Sequence, residues 1–150
     1  MTQATARAHP NIAFIKYWGN SDDALRLPVN PSISMNLDGL FTETTVTWDE
    51  TLKQDTLRLN GMDTTGQALE RVANHMSRIR KRLNIETFAH IDSANNFPTG
   101  TGIASSAAAF AALTVAAFAA ADVNLTEKEL STIARIGSGS ASRSVPSGFV

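Results

Sequence analysis

The sequence predicts an α+β domain, and three observations carry that prediction. Alternating, threonine-rich extended segments fill its first part, apolar residues at helical spacing run from Leu69 to Leu83, and two further helical segments follow residue 103. Strands that come first and helices that come later argue against a doubly wound parallel sheet, which alternates them. With 150 residues the chain has the usual size of one domain and can bury roughly 70 % of its extended-chain surface.

Residues 4–18 are dominated by apolar residues and β-formers, and Pro10 breaks any helix, so two short strands meet at His9-Pro10. Gly19 to about Arg26 is polar and reads as a loop. Ser32 to Leu37 alternates as Ser-Ile-Ser-Met-Asn-Leu, the period of a half-buried strand, and Thr42 to Trp48 alternates again. Thr56 to Met62 contains Asn60-Gly61, a two-residue hairpin turn. Leu69, Val72, Ala73, Met76, Ile79 and Leu83 share one face of a helix. Arg78, Arg80, Lys81 and Arg82 crowd its end, where cations favour the dipole; they read as a solvated terminus, with phosphate or RNA binding as the alternative.

Phe88 to Ser93 is a strand, and Asn95 to Gly102 is a loop with strong turn chemistry. Ala104 to Val123 is nearly all small or apolar. Its hydrophobicity is mostly alanine, Ser105, Ser106 and Thr114 interrupt it, and aromatic or basic flanks are missing. It therefore reads as a buried helix starting near Ile103 rather than a membrane span. Thr126 and Glu129 form a capping box for a last helix reaching about Ile136.

Composition removes several function classes. Hydrophobic residues make up 43 % and charged residues 18 %, which argues against disorder. The formal charge of −1 provides no field to attract nucleic acid or a membrane surface. Cysteine is absent, so disulfides, thiolate metal sites and cysteine nucleophiles are excluded together. The N-terminus lacks a basic start followed by an apolar stretch, so no secretory leader is expected. A reducing, cytoplasmic location is the expectation.

Three constellations carry chemistry. Pro98 to Ala107 reads PTGTGIASSA: glycines let backbone amides approach a ligand, and a helix opens directly afterwards, aiming unpaired amides into the loop. Ser105 and Ser106 add hydroxyls for phosphate oxygens or a metal ion. The segment lacks the lysine of the common phosphate loop, and Gly100-Thr101-Gly102 only begins a dinucleotide fingerprint. The alternative is a glycine-rich turn before a buried helix. In the second constellation, Pro10 to Gly19, Lys16 ends an apolar strand beside Tyr17 and Trp18. Desolvation there would demand an anionic partner; the alternative is a lysine that snorkels to the surface over core aromatics. In the third, Gly137 to Ser144, four serines alternate with small residues around Arg143, a bidentate clamp for carboxylate or phosphate; the alternative is a flexible serine-rich loop.

Taken in order, Ala8 to Ala13, Lys16 to Gly19, Asn30 to Ser34, Asn95 to Thr99, Gly102 to Ala108 and Gly137 to Ser144 resemble the mevalonate diphosphate decarboxylase family of the GHMP kinase superfamily. The resemblance covers the whole chain. It implies the GHMP kinase α+β fold, whose N-terminal part looks like the second domain of ribosomal protein S5. It also implies ATP-dependent phosphorylation of the 3-hydroxyl of a 5-phosphorylated mevalonate, followed by loss of phosphate and CO₂. Lys16, Ser106 and Arg143 would be catalytic, Lys16 neutralising the transferring phosphate and Arg143 orienting the substrate carboxylate. Tyr17, Ser138, Ser140, Asn11 and Asn20 would line the substrate. Pro98, Gly100, Gly102, Ser105, Ser106, Asn95 and Asn96 would hold ATP, with Mg²⁺ on Ser106. A homodimer is expected.

Two departures from the family pattern matter. Asn20 stands where the family commonly has a second lysine, which favours mevalonate 5-phosphate over the diphosphate. Val145-Pro146-Ser147-Gly148-Phe149 replaces an aromatic-Gly-Gly-Phe pattern, which changes the wall after Arg143. The catalytic aspartate of the family lies in its C-terminal half. Residues 1–150 are therefore expected to be an N-terminal nucleotide- and substrate-binding region with surface intended for that half. A GHMP kinase that stops at phosphorylation and an S5-like RNA-binding module are the competing readings.

Overall fold

Alternation and capping place the elements close to where the sequence predicts them in a computed structural model that describes residues 2–16, 18–98 and 105–150. The strands are β1 (Thr2–Ala8), β2 (Asn11–Ile15), β3 (Asn20–Asp22), β4 (Leu27–Pro28), β5 (Ile33–Asn36), β6 (Thr42–Asp49), β7 (Thr56–Leu59), β8 (Met62–Thr64) and β9 (Phe88–Asn95). The helices are α1 (Gln67–Leu83), α2 (Ser105–Ala120) and α3 (Glu127–Gly137), and a 3-10 turn spans Gly139–Arg143.

The main sheet has the order β1-β6-β9-β7-β8. All its pairs are antiparallel except β7 with β9. That parallel pair needs a crossover, which β8 and α1 supply. Alternation decides the buried face: β6 turns Thr42, Thr44, Val46 and Trp48 inward, and β9 turns Ala89, Ile91 and Ser93 inward.

Helix α2 lies against β1 and β6. It is apolar on every side and accordingly buried, and its alanines allow close approach. The Trp48 indole N–H donates to the Ala117 carbonyl at 3.1 Å, satisfying one of the acceptors that a helix C-terminus leaves without a partner. Among the described residues no helix is long and apolar enough to cross a membrane. Thr126 caps α3 as predicted: its hydroxyl accepts from the Glu129 amide, and the Glu129 carboxylate accepts from the Thr126 amide. The bond from the Thr126 amide, together with that from its hydroxyl, holds the Glu129 carboxyl below its usual range.

Three expectations need correction. The basic end of α1 is not simply solvated, because Arg80 bonds the buried Asp55 carboxylate at 2.7 Å and lies over the Phe88 ring. Asp55 also accepts from the Ala89 amide, and a carboxylate buried at the start of β7 requires such a cation. The polar stretch after Gly19 is a small ribbon, with Asn20 opposite Pro28 and Arg26 turning at φ 49°. Strands of two and three residues are too short to leave an alternation signal. Lys16 is not desolvated at the end of its apolar strand: it is exposed, as are Phe14 and Trp18.

His75 of α1 is buried edge-on to Phe110 of α2. The Thr114 hydroxyl donates to the Phe110 carbonyl at 2.7 Å, so it accepts from His75 Nε2–H at 2.9 Å. The ring is thus the neutral Nε2–H tautomer. Burial, and secondarily the charge of Arg78, lower its pKa to about 4.

Candidate active site

The serine-rich segment after α3 is ordered and largely buried rather than a flexible loop. The 3-10 turn packs on α2 and α3 and buries Ala141 and Arg143. Ser131 of α3 donates to the Ser142 carbonyl at 2.7 Å, which ties the turn back onto the helix. Small residues are needed here: an alanine Cβ at Gly137 would overlap the Phe110 ring and come within 2.9 Å of His75 Nδ1.

Arg143 reaches from this turn toward two other segments. Its guanidinium donates to the Ser32 hydroxyl at 3.2 Å and to the Asn11 side-chain oxygen at 3.3 Å. Asn11, buried at the start of β2, in turn donates to the Ser140 carbonyl at 3.0 Å and to the Ser144 hydroxyl at 2.8 Å. One asparagine therefore holds both the arginine and the backbone that carries it. The neighbouring hydroxyls form a row: Ser106 lies 3.3 Å from Ser138, and Ser138 lies 3.4 Å from Ser140. This row joins the first turn of α2 to the turn that bears Arg143.

The α2 end of the row opens into a cavity of about 180 Å³. Ser93, Ser105, Ser106, Asn60, Asn95 and Arg71 supply its polar groups, while Leu57, Val72 and Phe110 belong to its apolar lining. Arg71 sits over the Phe110 ring at 5.3 Å. An apolar slot with a few polar groups, beside a helix N-terminus, suits a nucleoside whose phosphates run toward the hydroxyls. Among the described residues no group of three or more His, Asp or Glu could hold a metal ion. A metal here would rely on the Ser106 hydroxyl and on ligands from elsewhere.

The predicted residues divide as follows. Ser105, Ser106 and Asn95 meet at the cavity, whereas Ser138, Ser140, Asn11 and Arg143 meet at the other end of the row. Asn96 is turned away, its amide clamping Gly39 and Phe41. Lys16 stands exposed at the end of β2. Asn20 is exposed on β3 and donates to Asp23 at 3.0 Å. Pro98 is exposed. Tyr17, Gly100 and Gly102 lie outside the described residues. Sequence reasoning gave no role to Arg71, Ser93, Asn60 or Ser32. The signals were present as an arginine one turn into α1, the serine ending the Phe88–Ser93 strand, the Asn-Gly turn, and a serine two residues beyond Asn30.

The family model of the diphosphomevalonate decarboxylase-like N-terminal domain matches residues 8–150. The chain belongs to that family. Its fold is accordingly the GHMP kinase α+β fold. The crystal structure of mevalonate diphosphate decarboxylase from Staphylococcus aureus superposes with a TM-score of 0.95 at 50 % identity, covering 99 % of this chain and 45 % of that one. A structure of MDDEF in complex with MVAPP, AMPPCP and magnesium has a TM-score of 0.93 at 43 % identity, covering 99 % of this chain and 45 % of that chain. The phosphomevalonate decarboxylase of Haloferax volcanii is 37 % identical, covering 98 % of this chain and 45 % of its own length. The chain spans less than half the length of each of these relatives.

Proposed function

We propose that this diphosphomevalonate decarboxylase-like domain is the ATP- and substrate-binding part of an enzyme that decarboxylates 5-phosphorylated mevalonate. The observation that carries this reading is the hydroxyl row Ser106–Ser138–Ser140 between the cavity beside α2 and the buried Arg143.

The chemistry explains why such a row is useful. A tertiary hydroxide is a poor leaving group, so the 3-hydroxyl oxygen first takes the γ-phosphoryl group of ATP, releasing ADP. The C3–O bond then breaks with loss of inorganic phosphate. The bond from C2 to the carboxylate carbon breaks as well, its electron pair forming the alkene while CO₂ departs. Several anions must be held while positive charge grows at C3. Arg143, fixed by Asn11 and Ser32, orients the carboxylate. Ser138 and Ser140 line the path of the phosphoryl group, and Ser105 and Ser106 hold the triphosphate at the N-terminus of α2. Lys16, standing in solvent here, neutralises the transferring phosphate once substrate covers it. Mg²⁺ on Ser106 would supply charge neutralisation across the triphosphate.

The exposed apolar residues Ile12, Phe14, Ile15, Trp18, Ile33 and Phe149 support a C-terminal half that covers this face and brings the catalytic aspartate. Asn20, an amide engaged with Asp23 in place of a cation, supports the monophosphate as substrate. By the same resemblance the enzyme is a cytoplasmic homodimer, which sedimentation of the complete protein checks.

Arg143→Ala in the full-length enzyme should lower CO₂ release by about a hundredfold or more while ATP still binds. Near wild-type turnover would remove its carboxylate role. ADP formation without CO₂ in the wild type would mean a kinase that stops at phosphorylation. A higher kcat/KM for the diphosphate would overturn the monophosphate preference.

A further inference from the structure

The excursion between β2 and β5 returns through Asn30, and the bonds at that point are specific. The Asn30 side-chain oxygen accepts from the Trp18 amide at 3.1 Å. Its Nδ2 group donates to the Lys16 carbonyl at 3.2 Å and to the Pro31 carbonyl at 3.0 Å. One planar amide thus uses its acceptor and its donor group to fix the backbone on both sides of position 17. Aspartate would lack the donors, alanine would lack both groups, and serine would be too short to span them.

Gly19 and Val29 add the next backbone bond outward, at 3.2 Å. Beyond it the ribbon of β3 and β4 is anchored to α3 where the Arg135 Nε–H donates to the Leu25 carbonyl at 3.0 Å. Asn30 therefore closes the neck of the excursion, and Arg135 holds its tip.

Two residues further on, Ser32 accepts from Arg143. Between them stands Pro31, whose ring fixes φ and which restricts Asn30 to extended conformations. The segment Asn30-Pro31-Ser32 is consequently a short stiff bar. One end grips the backbone of Lys16, and the other grips the side chain of Arg143.

We propose that Asn30 is a positioning residue that sets Lys16 in register with Arg143, so that the two cations meet the phosphoryl and carboxylate ends of one substrate. Asn30 does not touch the substrate in this scheme; it acts through the Lys16–Trp18 backbone. The inference rests on the proposed function for the identity of the substrate, but the clamp itself does not.

Two measurements test it. Hydrogen exchange on the full-length enzyme reads the clamp. Asn30→Ala should speed exchange of the Trp18 amide by about tenfold, whereas Asn30→Asp, which keeps the acceptor, should leave it within about twofold. Kinetics on the full-length enzyme reads the positioning. Asn30→Ala should lower kcat/KM for phosphorylated mevalonate by about tenfold or more with the KM for ATP within about twofold, and Asn30→Asp should fall between it and the wild type. An unchanged Trp18 exchange rate in Asn30→Ala overturns the clamp. A rise in the KM for ATP equal to the loss toward phosphorylated mevalonate reduces Asn30 to a general structural role and overturns the positioning. If the wild-type enzyme turns over neither phosphorylated mevalonate, it is the proposed function that fails, and the exchange result still decides the clamp.

Discussion

The sheet-and-helix body and the apron formed by β2, β5 and the β3–β4 ribbon are built from similar fractions of apolar residues but treat them in opposite ways. In the body Phe118 is 1 % exposed and Ile79 fully buried, and polar groups such as the Trp48 indole and the Asp55 carboxylate have partners. In the apron Trp18 is 80 % exposed and Phe14 61 % exposed. Its strands pair with each other and with Val150 through the backbone, while large side chains such as Phe14 and Trp18 remain mostly in water. The apron thus leaves large apolar side chains in water, and Lys16 stands exposed at the end of its first strand.

The contrast is sharpest where a large side chain is removed from the body. Phe118→Ala should cost about 3–5 kcal/mol, because it deletes a fully buried ring between helix and sheet and leaves a cavity. Chemical denaturation of the chain measures it. A loss below 1 kcal/mol would show that the body is loosely packed and that the contrast with the apron is false.

Acid tests the same body from its interior. His75 titrates near its ordinary value in the unfolded chain and near 4 when folded, so between those values the unfolded state binds more protons. Stability is complete above about pH 6.5 and falls as the pH drops toward 4, by about 3 kcal/mol in all. His75→Gln should lower stability at neutral pH and flatten that slope, as denaturation midpoints at a series of pH values would reveal. An unaltered slope would assign the acid sensitivity to other groups.

Gly137 lies where the body meets the candidate site. Gly137→Ala forces Phe110 and His75 apart and should cost about 1–3 kcal/mol. Because Ser138 follows directly and bonds toward Ser106, the full-length enzyme should lose turnover beyond what its lost stability explains. Activity that tracks only the folded fraction would separate the packing from the site.

Most of the body was legible because its signals are periodic. Alternation in Thr42–Trp48, the helical stripe from Leu69 to Leu83 and the Thr126–Glu129 box each act within a few residues and survive folding unchanged. The Arg80–Asp55 pair was not legible, because its members are 25 residues apart and meet only where α1 packs back beside β7. The site divides in the same way. Ser105, Ser106, Ser138, Ser140 and Arg143 stand out as clusters in the sequence. The bonds that give Arg143 its geometry were not legible: Asn11, at the start of β2, was expected at the substrate and not on Arg143, and Ser32, just before β5, was given no role, both lying more than a hundred positions away from it. The exposure of Lys16 was not legible for a related reason: an apolar run marks a strand, but it does not say which of its side chains are covered.

Phe14 turns that ambiguity into the smallest predicted effect. Its ring stacks only loosely on Phe149, with centroids 6.2 Å apart, and it is mostly in water. In the 150-residue chain Phe14→Ala should change stability by less than about 0.5 kcal/mol, the usual range for a surface substitution. In the full-length enzyme the same ring would be buried, and the same substitution should cost about 1.5–3 kcal/mol, the value of covering a large apolar side chain. Denaturing both proteins side by side isolates the difference. Equal small losses in the two would mean that the apron stays exposed when the enzyme is complete, and the apolar face would then have to be explained without a covering half. A large loss in the short chain would mean that Phe14 already belongs to the body.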